Sequence, residues 1–106
     1  MSDTVRDVLI RARERISVPE RWTQGASSRD ACGNLTFASS PKAVCWCSLG
    51  AVLMEESLCG KRSDRTCIAI KALYKAAGGD FMAYNDTHTH AEVLAMFDKA
   101  IEEAEA

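Results

Sequence analysis

A chain of 106 residues has the length of one globular domain, and its 47% hydrophobic and 26% charged residues exclude a disordered or fibrous protein. No stretch approaches the roughly 18 uninterrupted apolar residues of a membrane helix, and the first residues lack the features of a secretory signal. The net charge of −2 gives no overall attraction to a nucleic-acid backbone. We therefore expect a single helical domain over residues 1–106, soluble and cytoplasmic, without membrane contact and not suited to binding nucleic acid.

The first predicted element is an amphipathic helix over residues 3–16. Asp3 or Thr4 can cap its start, because a short side-chain oxygen there accepts a free backbone N–H, and Pro19 lies just past its end. Its apolar residues recur at helical spacing: Val5, Val8, Leu9, Ala12 and Ile16.

A long connection follows over residues 17–40, which contain seven Ser or Thr residues and few large apolar ones. Loops beyond roughly 12–15 residues are uncommon in compact domains and are often functional or mobile. The ordinary structural interpretation is that Trp22 and Phe37 fold back onto the core, since large aromatic residues are mostly buried. The loop is also a candidate functional segment.

Ser40 and Pro41 are typical of a helix start, and residues 43–54 are apolar nearly all round, which predicts a central buried helix. Gly50 in its middle costs about 1 kcal/mol relative to Ala and indicates close contact with another element, or a local break. A short buried strand over residues 43–47 is the competing prediction, because periodicity cannot type a brief apolar run.

Two further helices are predicted, one from the Ser63-Asp64 cap to Gly78-Gly79 and one beginning at Thr89 with a capping box completed by Glu92. The segment 80–88 between them is interpreted as a short connection that can be extended. The fold class is therefore mainly α: a compact bundle of about four helices, with a long loop after helix 1 and this short segment before the last helix.

Five cysteines form an odd set spread through the predicted helices, which favours reduced thiols, mostly in the core. Cys45 and Cys47 with His88 and His90 supply the ligand types of a zinc site. On a helix, however, positions i and i+2 point about 200° apart, so both cysteines cannot reach one metal. No metal site and no cofactor are predicted.

A cysteine nucleophile, with His88 or His90 as the base and Asp86 or Asn85 to orient that base, would supply the parts needed for thiol catalysis. No sequence signature of a thiol enzyme surrounds any cysteine. Apolar surroundings raise the pKa of a thiol and so lower its reactivity. An enzyme is therefore not favoured. Asn85 and Asp86 more often turn the chain and cap a helix, yet Thr89 already supplies a cap, which leaves both residues available for ligand binding.

Charge is uneven along the chain. Residues 1–29 carry six Arg against four acidic residues, whereas residues 80–106 carry seven acidic residues against Lys99. The arginines are interpreted first as a solvated face, with nucleic acid, an acidic protein or the chain's own acidic end as alternatives. The acidic face of the last helix also allows a nucleic-acid mimic, the least favoured hypothesis.

Three short motifs occur in order: Arg-Trp-Thr-Gln-Gly-Ala at 21–26, Trp-Cys-x-x-Gly-Ala at 46–51 and Tyr-Asn-Asp at 84–86. With them the chain resembles a domain-of-unknown-function family of short bacterial and phage proteins, although that family more often has Trp where this chain has Tyr84. The resemblance implies bacterial or phage origin, no known activity, and one constellation made of Trp22, Cys47, Gly50, Asn85 and Asp86.

Physical chemistry gives that constellation a scaffold role. Gly50 would let another segment approach the turn at Cys47, and Asn85 and Asp86 can hydrogen-bond the backbone of residues 21–26. The functional hypothesis for the same residues is that they also form a shallow polar pocket.

The leading hypothesis is a non-enzymatic protein-interaction or accessory factor that binds a protein partner through the 17–40 loop and residues 80–88. The rival is a small-molecule-binding or hydrolytic domain built on Asn85, Asp86, His88 and Cys47, which a deep pocket joining those residues would favour. The candidate binding residues are Trp22, Gln24, Cys47, Asn85, Asp86 and His88.

Overall fold

The computed structural model describes residues 4–58 and 64–104. In this part of the chain lie five α-helices, a two-stranded sheet and one 3-10 turn at Pro19–Arg21. The fold is mainly helical, as predicted, with one helix more than the expected four. The elements are α1 Val5–Arg15, β1 Ser28–Arg29, β2 Cys45–Trp46, α2 Ser48–Leu58, α3 Asp64–Ala77, α4 Phe81–Thr87 and α5 His90–Glu103.

The first and last helices begin with capping boxes. The Thr4 hydroxyl accepts the Asp7 N–H while the Asp7 carboxylate accepts the Thr4 N–H, and Thr89 and Glu92 repeat the arrangement at α5. These reciprocal bonds satisfy N–H groups that a helix start leaves free. The predicted starts of both helices are confirmed, with Thr4 as the cap of α1.

The hydrophobic core lies where α1 packs against α2, α3 and α5, with α4 closing one end against α2 and α3. Gly78 has a φ of 76° and ends α3, as predicted. Gly60 and Ser63, predicted to end one helix and cap the next, lie outside the described residues. The largest fully buried apolar side chains are Leu9, Ile16, Val52, Leu73, Phe81, Val93 and Phe97.

The helix start predicted at Ser40-Pro41 is wrong. Residues 41–42 form a turn, and α2 begins only at Ser48. Between them the chain is extended as β2, which pairs antiparallel with β1 so that Trp46 lies opposite Ser28. The competing strand prediction was nearer, because pairing partners 16 and 18 residues away decide the conformation of an apolar run that local periodicity leaves ambiguous.

The segment before the last helix is helical, not extended. The Asp80 carboxylate accepts the N–H groups of Met82 and Ala83 and caps α4. Phe81 and Asn85, one turn apart, are both fully buried and form its inner face. Within the described residues, no helix has both the length and the apolar character needed to cross a membrane.

Candidate functional site

The side chain of Asn85 is the centre of a buried hydrogen-bond network. Its Oδ1 accepts from Trp22 Nε1 at 2.8 Å and from Ser48 N and Oγ at 3.1 and 2.8 Å. Its Nδ2 donates to the Thr23 carbonyl at 3.0 Å and to Asp86 Oδ1 at 3.2 Å. Both amide hydrogens and the carbonyl oxygen are therefore engaged, and the residue joins α4, α2 and the long loop.

Two neighbours extend this network along the loop. Gln24 Nε2 donates to the carbonyls of Asn85 and His88, both at 3.0 Å. Asp86 Oδ1 accepts the Gly25 N–H at 2.9 Å. These bonds, with the Asn85 bond to Thr23, confirm the expectation that Asn85 and Asp86 hold the backbone of residues 21–26.

Gly50 permits the loop to touch α2. A Cβ built on Gly50 would lie 1.9 Å from the Ser27 carbonyl oxygen, a distance that no side chain allows. The same carbonyl accepts the Cys47 N–H at 3.1 Å. The expected close approach beside the Cys47 turn is therefore confirmed, and it explains a glycine inside a helix.

Cys47 lies at the start of α2 and is buried. The Gly50 N–H points at its Sγ at 3.4 Å, which favours a thiolate, but burial dominates and raises the pKa of the Cys47 thiol. The interpretation as a core thiol is confirmed for Cys47. Cys32, by contrast, is exposed because it lies in the tight turn that follows Asp30.

The two histidines bind different elements. His88 Nδ1 donates to the Tyr84 carbonyl at 2.9 Å, and its ring stacks on Tyr84 at 3.6 Å. His90 Nε2 donates to the Ile16 carbonyl at 2.6 Å, with its ring 5.4 Å from the Trp22 ring. Across residues 4–58 and 64–104, no three His, Cys, Asp or Glu side chains are grouped so as to hold a metal ion.

Phe37 does not fold back onto the core. It is 84% exposed, and Leu35 is 71% exposed. Thr36 between them is turned inward: its N–H donates to the Ser28 carbonyl, and its carbonyl accepts the fully buried Ser28 hydroxyl at 2.8 Å. Since alternate residues of an extended segment point to opposite sides, Leu35 and Phe37 face outward.

Trp46, rather than Phe37, is buried in the core. The Trp46 indole is buried, its Nε1 donates to the Ala38 carbonyl at 2.9 Å, and the Arg15 guanidinium lies 5.1 Å from its ring centroid.

Next to the exposed side chains of Leu35 and Phe37 is a groove of about 490 Å³ without a charged residue in its lining. It is lined by Gly25, Ala26, Ser27, Ser28, Leu35, Thr36, Phe37 and Ser40.

Local hydrogen bonds hold the loop that carries this groove. Asp30 Oδ1 accepts the N–H groups of Cys32 and Asn34, which closes a tight turn. The Arg29 guanidinium donates to the Thr23 hydroxyl and to the carbonyls of Gln24 and Gly33. The exposed apolar side chains therefore stand on an ordered backbone.

The arginines of α1 are engaged within the chain. Arg13 forms an ion pair with Asp98 at 2.6 Å, and Arg6 donates to the Ala104 carbonyl. Two arginines of the basic region 1–29 therefore contact the acidic region 80–106. Arg11 and Arg15 flank Glu55, which is only 3% exposed, at 2.6 and 2.8 Å. Of the alternatives, contact with the chain's own acidic end is observed.

Sequence reasoning missed Glu55 and the outward position of Leu35. An acidic pair, Glu55-Glu56, closes the apolar run and was the available signal for Glu55, because a carboxylate buried with that run requires a cationic partner. No such signal marked Leu35. The alternation of apolar Leu35 with polar Thr36 is equally compatible with the apolar side chain facing inward.

Together, these observations describe a mainly helical fold whose long loop is hydrogen-bonded to its helices around one buried asparagine. The chain belongs to the Family of unknown function (DUF6197), whose model matches residues 1–103. This confirms the resemblance to a domain-of-unknown-function family. No curated protein and no solved structure matches the chain.

Proposed function

We propose that this protein is a non-enzymatic interaction factor that binds a protein partner through its apolar loop surface, defined as Leu35, Phe37 and the adjoining groove. The main support is that the side chains of Leu35 and Phe37 are 71% and 84% exposed on a segment held by hydrogen bonds. An ordered apolar surface loses little conformational entropy on binding, and burying it is favourable. The uncharged lining suits an uncharged, apolar segment of the partner.

The six candidate residues act as positioning residues under this surface. Asn85 joins Trp22 to α2, while Gln24 and Asp86 fix the backbone that leads into the groove. Cys47 and His88 lie at the ends of the same network, through the Ser27 carbonyl and through Gln24 respectively. Their proposed role is to keep the loop in its binding conformation.

The rival hypothesis of a small-molecule or hydrolytic site receives less support. Asn85 has no hydrogen-bonding group left for a ligand, and the raised pKa of the Cys47 thiol disfavours a nucleophile. The motif resemblance supports a further part of the proposal, that the protein is an accessory factor of a bacterium or a phage.

Photo-crosslinking in the cells that make the protein tests this proposal. Benzoylphenylalanine replaces Phe37 in one variant and Tyr74, a 40% exposed residue on α3, in a matched control. We expect a discrete crosslinked protein from position 37 that is absent from position 74 and is lost when Leu35→Ser is added. Equal crosslinking from both positions, or none from position 37, would overturn the proposal.

A further inference from the structure

Leu35 lies on the open edge of the small sheet. It forms an antiparallel bridge with Arg29, framed by the bonds from Asp30 N to the Asn34 carbonyl and from Thr36 N to the Ser28 carbonyl. Because Asn34 and Thr36 direct their backbone groups toward β1, those of Leu35 point away from the sheet. Among the described residues, neither the N–H nor the carbonyl of Leu35 has a hydrogen-bond partner.

This edge is self-complementary. In an antiparallel ladder, two directly opposite residues exchange a pair of N–H to carbonyl bonds, so each uses one donor and one acceptor. Leu35 offers one of each on the same side. A twofold axis that sets Leu35 opposite Leu35 of a second copy therefore satisfies all four backbone groups, and such an interface closes on itself.

The side chains around the edge fit this register. Pairing Leu35 with its own copy brings Phe37 to the end of the other chain's edge at Gly33, where the backbone turns with a φ of 85°. Gly33 has no side chain, and the space beside its Cα is open. The Phe37 ring can therefore cover Gly33, and aromatic cover of this kind stabilises a glycine on a strand edge. The groove lining holds no charged side chain that would meet its like across the axis.

From this geometry we infer that the partner bound by the apolar loop surface is a second copy of this chain, joined edge to edge at Leu35. The inference rests on the proposed function and names its partner. The two small sheets become one continuous sheet across the twofold axis. Leu35 and Phe37 of both copies are buried, which explains why the fold leaves both side chains in water in one chain alone.

Sedimentation equilibrium of the purified full chain tests the inference. We expect a dimer whose dissociation constant rises at least about tenfold in Leu35→Lys, because two like charges then lie opposite each other on a strand edge. The matched control is Ile68→Lys, which places the same charge on a 50% exposed apolar residue of α3 and should leave the dimer intact. Circular dichroism verifies that both variants fold.

A disulfide that traps the dimer gives a second readout, one that does not depend on weakening the association of the two copies. Opposite residues in a hydrogen-bonded antiparallel pair have Cα atoms about 5.5 Å apart, within the range that a disulfide spans. Leu35→Cys, made in a Cys32→Ser background to remove the exposed native thiol, should oxidise to a dimer linked through position 35 in peptide mapping.

A monomer at all concentrations, or a dimer that Leu35→Lys leaves unchanged, would overturn the inference. If the protein is monomeric while position 37 still crosslinks to a different protein, the dimer is refuted and the proposed function stands. If position 37 crosslinks to nothing, both are refuted.

Discussion

Replacing Asn85 with Ala is the most informative perturbation of the network. It removes the Oδ1 that accepts from Trp22 and Ser48 and the Nδ2 that donates to the Thr23 carbonyl. The Asn85 side chain is fully buried, so water reaches the vacated groups poorly. The Ser48 hydroxyl can rotate, whereas the Trp22 Nε1 and the Ser48 N–H are fixed in direction.

The expected loss follows from those fixed groups. A buried donor left without a partner costs about 1–3 kcal/mol; the Ser48 N–H is buried, whereas the Trp22 Nε1 bond is only partly buried and contributes the lower part of that range. We therefore expect Asn85→Ala to lower the free energy of unfolding by about 2–5 kcal/mol, a large part of the roughly 5–15 kcal/mol of a typical domain. Asp86→Ala is the comparison at the edge of the network: it removes the exposed carboxylate that accepts from Gly25 N and Asn85 Nδ2, leaves the Trp22 and Ser48 bonds in place, and should cost about 0.5–1.5 kcal/mol.

Urea denaturation followed by tryptophan fluorescence measures both variants, and a double-mutant cycle with Trp22→Phe isolates the bond between Trp22 and Asn85. A coupling energy of about 0.5–3 kcal/mol is expected, because the two side chains touch directly. If Asn85→Ala costs less than about 1 kcal/mol, or the cycle shows no coupling, the network does not hold the loop and the reasoning fails.

Three further results are expected. Gly50→Ala should lower the free energy of unfolding by at least about 2 kcal/mol in urea denaturation, because its Cβ would overlap the Ser27 carbonyl oxygen and this outweighs a gain of about 1 kcal/mol in helix propensity; an unchanged or raised stability would contradict the close contact. Iodoacetamide should modify exposed Cys32 rapidly and buried Cys47, whose thiol pKa is raised, only on unfolding, as read by peptide mass spectrometry; equal rates in the native state would refute the assignment. Hydrogen bonds from the cap of α5 lower the pKa of Glu92, so its contribution to stability is present above the pKa of the unfolded chain and is lost as pH falls through the folded pKa; Glu92→Gln should remove that part of the pH dependence of the urea midpoint, and an identical pH profile would argue against it.

The sequence by itself determined the features that depend on neighbouring residues. The capping boxes at Thr4 and Thr89 lie within four residues of chain, so their hydrogen bonds form wherever the helix starts. The motifs also anticipated two contacts between residues distant in sequence: a close approach at Gly50, because glycine is unfavourable inside a helix, and hydrogen bonds from Asn85 and Asp86, which remained available once Thr89 had supplied the cap. The expectation that they would meet the 21–26 backbone was confirmed.

Tertiary structure decided the rest. Residues 45–46 became a strand because β1 offered backbone partners, and residues 81–87 became a helix because Phe81 and Asn85 gain burial on one face. Leu35 and Phe37 lie outward because the buried Ser28 hydroxyl binds Thr36 between them. In each case the deciding contact joins residues distant in sequence or depends on burial in the folded chain, and the local sequence pattern was equally compatible with another conformation.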